Sequence, residues 1–307
     1  LVSVGMPVYN GEAFLAAAIE SILAQTLTDF ELIISDNAST DGTGDICQRY
    51  AESDPRIRYF RQPENLGASP NYNFTFHQAS GRYFRWAAHD DVLEPTLLEA
   101  CVEALEANPD VQLAFPRTLR IDSTGETIGK YPDYSRMRLM SPRPSARFGD
   151  MICHMHNCVA FFGLSRRAVL AGTILHPPHE DADRHLLAQL ALKGPLYEVP
   201  EYLFKRRDHP GAYSQSVRLG ERMAWWDSKQ AGKVTFPEWN SLRVYLRLIR
   251  ESDLPRSEKV ACRLQLVRWL FGPRWYRQRW VKLLRDLVFG TYRLIRRAIA
   301  RRQPSAT

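Results

Sequence analysis

The chain has 307 residues, 45% hydrophobic and 24% charged, with a net charge of +7. That composition excludes a disordered chain, and no window of about 18 uncharged apolar residues offers a membrane-spanning helix. The charge is uneven: Arg243 to Arg302 holds 17 Lys/Arg against 4 Asp/Glu, leaving 24 against 30 elsewhere, so an acidic body carries a basic tail.

In chain order, Val2–Met6 reads as a short buried strand, and Phe14, Leu15, Ala18, Ile19, Ile22 and Leu23 follow at helical spacing. Phe30–Ser35 is a second strand, then a polar loop, DNASTDGTG, leads to a helix near Asp45–Glu52. Arg56–Phe60 is a third strand and Pro70–Ala79 a helix. Arg82–Ala87 is a fourth strand, followed by Asp90 and Asp91 and by a helix over Pro95–Ala107 with Pro in its first turn. Val111–Pro116 is a fifth strand. Alternating strands and helices predict an α/β domain with a mostly parallel sheet flanked by helices.

Beyond it, Arg117–Lys130 reads as a hairpin turning at DSTG, Tyr131–Gly149 as a loop, and NCVAFFGLS as an apolar strand. Asp181–Leu192 reads as a helix, and LYEVP and EYLFKRR as two short strands. From Met223 the pattern is helical, amphipathic and rich in Trp and Arg. The five cysteines are odd in number and fall mostly inside predicted elements, which favours reduced thiols and a cytoplasmic setting. Leu1 already enters a strand, so a targeting segment ahead of it stays open.

In open parallel sheets, ligands bind beyond the carboxyl ends of the strands. Pro7–Asn10, Asp36–Asn37, Asn65–Gly67 and His89–Asp91 follow the first four strands, which delivers polar or turn residues to one rim. Two adjacent carboxylates there call for a cation, or else for a pair that caps the Pro95 helix.

The order VSVGMPVYNGEAFLAAAIESILAQTLTDFELIISDNASTDGT, then NLGASPNYN, then GRYFRWAAHDD resembles family 2 glycosyltransferases of the GT-A fold. The resemblance covers about Val2–His209. It implies that Pro7, Val8, Tyr9, Asn10 and Asp36 hold a pyrimidine nucleobase, with Asp41, Gly67 and His89 near the nucleotide. The family's Asp-x-Asp-Asp metal motif reads Ala88-His89-Asp90-Asp91 here, so its first carboxylate is absent. Asp90, with Asp91 and His209, is the implied set for Mg²⁺ or Mn²⁺. Such an ion would stabilise the negative diphosphate leaving group of a nucleotide-sugar.

Glu180-Asp181 is similar to the family's Glu-Asp pair, which implies Asp181, with Glu180 second, as the base for the acceptor hydroxyl. Acidic residues also favour helix starts with no catalysis involved. Asp183 is expected on the solvent side of that helix. Arg207-Asp208-His209 resembles the family's Arg-x-His segment, so Arg206 or Arg207 is expected at the diphosphate, against the plain alternative of a solvated basic loop. Cys153, His154, His156 and Cys158 suggest zinc, but residues on one strand point to opposite faces and cannot converge.

The expected organisation is a GT-A domain over 1–216, with a nucleotide half (1–116) and an acceptor half (117–216), and a basic helical region over 217–307. The implied activity is inverting sugar transfer from a UDP- or dTDP-sugar to a saccharide or lipid-linked acceptor in surface polysaccharide assembly. The tail suits an anionic membrane surface on the inner face; a helical pair packed on the body is the plain alternative, and no nucleic-acid module accompanies the charge. Rival readings are a non-catalytic nucleotide-sugar-binding homologue, motivated by Ala88, and a binding module carrying a vestigial transferase domain.

Overall fold

β1 (Val2–Val8) is buried along its whole length, as an apolar run must be when helices cover both faces of a parallel sheet. The computed structural model describes residues 1–154, 156–211, 225–226, 228, 236–271 and 279–300, with side chains as far as Tyr292. After β1 come α1 (Leu15–Leu23), β2 (Phe30–Asp36), α2 (Thr43–Ser53), β3 (Ile57–Arg61), α3 (Ala68–His77), β4 (Tyr83–Trp86), β5 (Val92–Leu93) and α4 (Leu97–Ala107). β1 pairs in parallel with β2 and β4, and β2 with β3, so these carboxyl ends open on one rim.

The second half holds β6 (Leu113–Ile121), β7 (Thr127–Lys130), α5 (Pro144–Cys153), a 3-10 turn (Val159–Phe162), β8 (Leu164–Arg166), α6 (Arg167–Ala171), α7 (Ala182–Lys193) and β9 (Leu196–Arg207). The strand order is β3-β2-β1-β4-β8-β6-β9-β5, with β7 on β6. The sheet is mostly parallel and flanked by helices, as expected. Short β8, antiparallel to both β4 and β6, joins the two halves.

Four expectations change here. β6 does not stop at Pro116 but runs to Ile121, and the two short strands are one, β9. A register shift beside Pro116 leaves Pro200 and Glu201 out of the pairing, which is why one strand looked like two. The stretch 131–149 is loop only in its first part. α5 begins at Pro144 and is buried from Ser145 to Cys153, its polar residues satisfied internally: Arg147 Nε donates to the Ala191 carbonyl at 2.8 Å, and Asp150 accepts from Arg138. NCVAFFGLS is mostly the 3-10 turn, and only its end extends into β8.

One apolar core, with Val4, Met6, Ile19, Leu32 and Leu98, lies under α1 and α4. The other holds Phe84 and Trp86 of β4 and reaches into the C-terminal helices α8 (Pro237–Glu251) and α9 (Arg256–Phe271) through Tyr245, Leu248, Cys262 and Trp269; the last helix is α10 (Arg279–Ala300). The helical region therefore shares a core with the sheet. Its expected start at Met223 and the expected boundary at 216/217 lie outside the described residues.

Candidate active site

Strand β1 carries Pro7 and Val8 within it, so their side chains sit in the core and only their backbone borders the rim. Tyr9 and Asn10 are exposed beyond it. Asn10, at φ 51°, receives a bond on its side-chain Oδ1 from Thr40 N at 2.8 Å, and its own N–H donates to Ser39 Oγ at 2.9 Å. Gly11 packs so closely that a Cβ would meet the His89 ring at 2.6 Å, which fixes His89 against this loop. Asp41 accepts from Glu12 N and Thr43 N and so ties the start of α2 to the loop after β1.

Asp36, at the end of β2, is fully buried. Its Oδ1 accepts Ser39 N at 2.8 Å, while Arg61 Nη1 and the Tyr59 hydroxyl donate to Oδ2 at 2.8 and 3.0 Å. Each carboxylate oxygen has two lone pairs, so Oδ1 keeps room for one more donor, such as a ring N–H. Arg61 and Tyr59 were not legible as site residues; their only signal is their place at the end of β3. Asn37 bonds Asn65 Oδ1 at 2.9 Å and takes Leu66 N at 2.9 Å, and Gly67, at φ 88°, turns the chain into α3 in a conformation that glycine adopts without strain.

Asp90 and Asp91, neighbours in sequence, part company. Asp91 is 3% exposed and accepts Arg207 N at 2.9 Å. Burial first, and the charge of Asp90 second, push its carboxyl above the usual range. Asp90 instead faces His209, whose Nε2 lies 2.9 Å from its Oδ2. The expected cation set is thus corrected at Asp91: its carboxylate is sunk and committed to the β9 backbone. Among the described residues no three His, Cys, Asp or Glu converge as a cation site. Asp90 and His209 supply one oxygen and one nitrogen donor, a pair that fits an ion such as Mn²⁺ only if diphosphate oxygens and water complete the shell.

Arg206 and Arg207 are adjacent on β9 and therefore point to opposite faces. Arg207 is buried, donating Nε to the Asp90 carbonyl and Nη1 to those of Asp122 and Ser123, with its guanidinium over Phe14. Its expected role at a diphosphate is corrected accordingly: the side chain is a structural pin. Arg206 takes the other face, where its Nη1 donates to the Asn157 carbonyl at 3.3 Å. Burial works against its charge, and Tyr131, Asp91, Asp90 and Asp183 outweigh burial and leave its pKa raised.

Asp181 precedes α7 in a left-handed conformation, φ 59°, makes no side-chain capping bond and is exposed; Glu180 beside it is half-buried. Asp183, expected to face solvent, is half-buried instead. Burial, then the charge of Asp181, raise its carboxyl. Tyr72 of α3 feels Asp90, Asp91, Asp183 and Arg206 together, so α7 approaches the same centre as the β4 end.

The Cys/His stretch runs from the end of α5 into the turn at Cys158, not along a strand. Burial, then Arg184, lower His156 to about 3, and its Nδ1 accepts Cys158 N at 3.3 Å.

Residues 3–171 match the family described as Glycosyl transferase family 2. Chondroitin synthase of Escherichia coli is 33% identical over 157 residues, which is 50% of this chain and 22% of that protein. Glycosyltransferase GlyG of Streptococcus pneumoniae is 32% identical over 106 residues, 34% of this chain and 35% of its own. The matched stretch is well under two thirds of either relative. Among solved structures, S. aureus TarS 1-349 in complex with UDP superposes with a TM-score of 0.64 at 16% identity, covering 94% of this chain and 80% of that one. The mannosyltransferase PcManGT of Pyrobaculum calidifontis, in complex with GDP-Man and Mn²⁺, gives 0.52 at 18% identity, covering 95% and 86%. The fold is of the GT-A kind, and with more than half its length matched the chain belongs to glycosyl transferase family 2.

Proposed function

We propose that the chain transfers a sugar, with inversion, from a UDP- or dTDP-sugar to a hydroxyl of a saccharide or lipid-linked acceptor, in assembly of a surface polysaccharide. The observation that carries this reading is the position of Arg206. It comes from the acceptor half, yet it lies in the field of Asp90 and Asp91 from the nucleotide half and of Asp183 from α7. On this reading a departing diphosphate and a carboxylate that takes the proton would share one centre, which the charges around Arg206 support.

In the reaction the acceptor oxygen bonds to the anomeric carbon as the bond from that carbon to the diphosphate breaks. The electron pair leaves on the diphosphate, and the hydroxyl proton passes to a carboxylate at the start of α7. Asp181 is the proposed base, by its place in the Glu-Asp pair. Asp183 is a second reading, supported by its share in the field around Tyr72 and Arg206. Arg206 would offset negative charge on the leaving group. Asp90 and His209 would hold a Mg²⁺ or Mn²⁺ ion, which supplies Lewis-acid stabilisation when bound. Buried Asp36, fixed by Arg61 and Tyr59, would read a pyrimidine ring N–H. TarS was solved with UDP, which supports this choice, whereas PcManGT was solved with GDP-Man.

The test is release of nucleoside diphosphate from a panel of UDP-, dTDP- and GDP-sugars, with Mn²⁺ or chelator and with saccharide acceptors. A pyrimidine donor should be consumed only with metal. Binding of a donor without turnover would favour the non-catalytic homologue that Ala88 suggests, and preference for a GDP-sugar would overturn the reading of Asp36.

A further inference from the structure

Helix α10 is amphipathic and is seated with its polar side inward. Arg279 Nη1 reaches Glu238 Oε2 at 2.6 Å, Lys282 lies 3.8 Å from the same carboxylate, and Asp286 accepts Glu238 N at 3.0 Å. Between them only Leu283 is buried. The opposite side, Trp280, Val281, Leu284, Leu287, Val288 and Phe289, is 40 to 66% exposed. A helix packed on a core ordinarily does the reverse.

A second stripe lies on α9. Cys262, Leu266 and Trp269 fill the core, whereas Val260, Leu264, Val267 and Phe271 recur at the same helical spacing on the other side and are exposed. This helix is apolar on two faces, and the body covers one. Exposed apolar surface on this scale marks a contact that excludes water.

The charges around these stripes narrow the partner. Arg256, Arg263 and Arg268 of α9 and Arg285 of α10 are exposed. The acids of these two helices are engaged with the body: Glu258 accepts Ser145 N at 2.9 Å, and Asp286 accepts Glu238 N of α8. The outward faces thus combine apolar side chains with cations and no free acid. A second copy of this face would bring like charges together. Nucleic acid would match the arginines but leave the Leu, Val and Phe side chains with nothing apolar to enter.

We propose that the outward faces of α9 and α10 dock on an anionic lipid surface, apolar side chains in the acyl boundary and arginines among the headgroups. The inference stands on exposure and charge alone and needs neither the donor nor the base assigned above. A truncation is a poor test, because Tyr245 and Trp269 belong to the core. The paired substitution Leu284→Glu with Val288→Glu alters only exposed positions.

Co-sedimentation of the full chain with phosphatidylglycerol/phosphatidylcholine vesicles, and with phosphatidylcholine vesicles alone, measures the effect. The parent should bind the anionic vesicles, more weakly as salt rises. The paired variant should bind them at least about tenfold more weakly, with unchanged melting temperature and UDP affinity. Failure of the folded parent to bind overturns the proposal, as does equal binding by the variant or equal binding to phosphatidylcholine alone. Lipid-free dimers abolished by the same substitutions, or tighter binding to duplex DNA than to vesicles, overturn it also.

Discussion

His209 Nε2 and Asp90 Oδ2 meet at 2.9 Å across 119 positions of the chain. β5 brings them together by pairing with β9, Val92 opposite Lys205, and the edge of Phe14 holds the imidazole at 4.7 Å between ring centres. Asp90, inside the family match, and His209, beyond its end at residue 171, thus close on one atom pair, the one proposed to hold a cation. His209→Ala should weaken Mn²⁺-dependent UDP binding about tenfold, the usual worth of an oriented metal-site partner, and leave binding in chelator unchanged. Calorimetry with and without chelator checks this; an equal loss in both conditions would make His209 a packing residue only.

Asp36 has one open lone pair on Oδ1 and a carboxylate fixed by three donors. Asp36→Asn would put an amide N–H against Arg61 or Ser39 and misdirect what remains. UDP affinity should fall by about 1.5–3 kcal/mol, the range for a hydrogen bond to a charged group. Tyr59→Phe, which keeps the carboxylate, should cost less. Equal UDP affinity in parent and Asp36→Asn would place the nucleobase elsewhere.

Two carboxylates at the start of α7, Asp181 and Asp183, are the proposed bases, and one pair of variants separates them. Asp181→Asn should lower kcat about 10²–10⁴-fold with near-normal donor affinity, and Glu180→Gln should do less. If Asp183→Asn produces the large loss and Asp181→Asn does not, the half-buried carboxylate beside Cys158 is the base. A simple structural role for Asp183 would appear as a lower melting temperature, with kcat retained by the folded fraction.

Glu31 of β2 accepts from Ser80 N, the Ser80 and Ser3 hydroxyls and Arg58, which ties three parts of the sheet. Burial alone would raise its pKa; the bonds outweigh it and bring the value from 4.5 to about 2. A depressed folded-state value stabilises the fold above the unfolded one, and that contribution is lost as pH falls from 4.5 towards about 2. Glu31→Gln should therefore unfold more easily at neutral pH, by about 1–3 kcal/mol, and the gap should close through that acid window. Denaturant midpoints for both proteins across the window test it, and a gap that persists to its acid end would deny the linkage.

The first half of the sheet was legible because β1 and β2 are short apolar runs, and each of the four parallel strands ends in polar or turn residues, which located the rim. α5 was not legible: Arg147 and Asp150 make it look like loop, and only their partners Ala191 and Arg138 show that burial is satisfied. Strand pairing across distance was hidden too, so the pattern of β9 could not say which of its two arginines pins the Asp90 backbone. The Asp pair misled for the same reason. Two adjacent carboxylates suggest one shared cation until the Arg207 N–H is seen to claim Asp91.

On the proposed reading, Asp90 makes nucleotide-diphosphate binding depend on a divalent cation. The most direct measurement is calorimetric titration of UDP into the parent and into Asp90→Asn, each with Mn²⁺ and with chelator. Mn²⁺ should strengthen UDP binding to the parent at least about tenfold and leave binding to Asp90→Asn unchanged. An equal gain from Mn²⁺ in both proteins, or none in either, would contradict it.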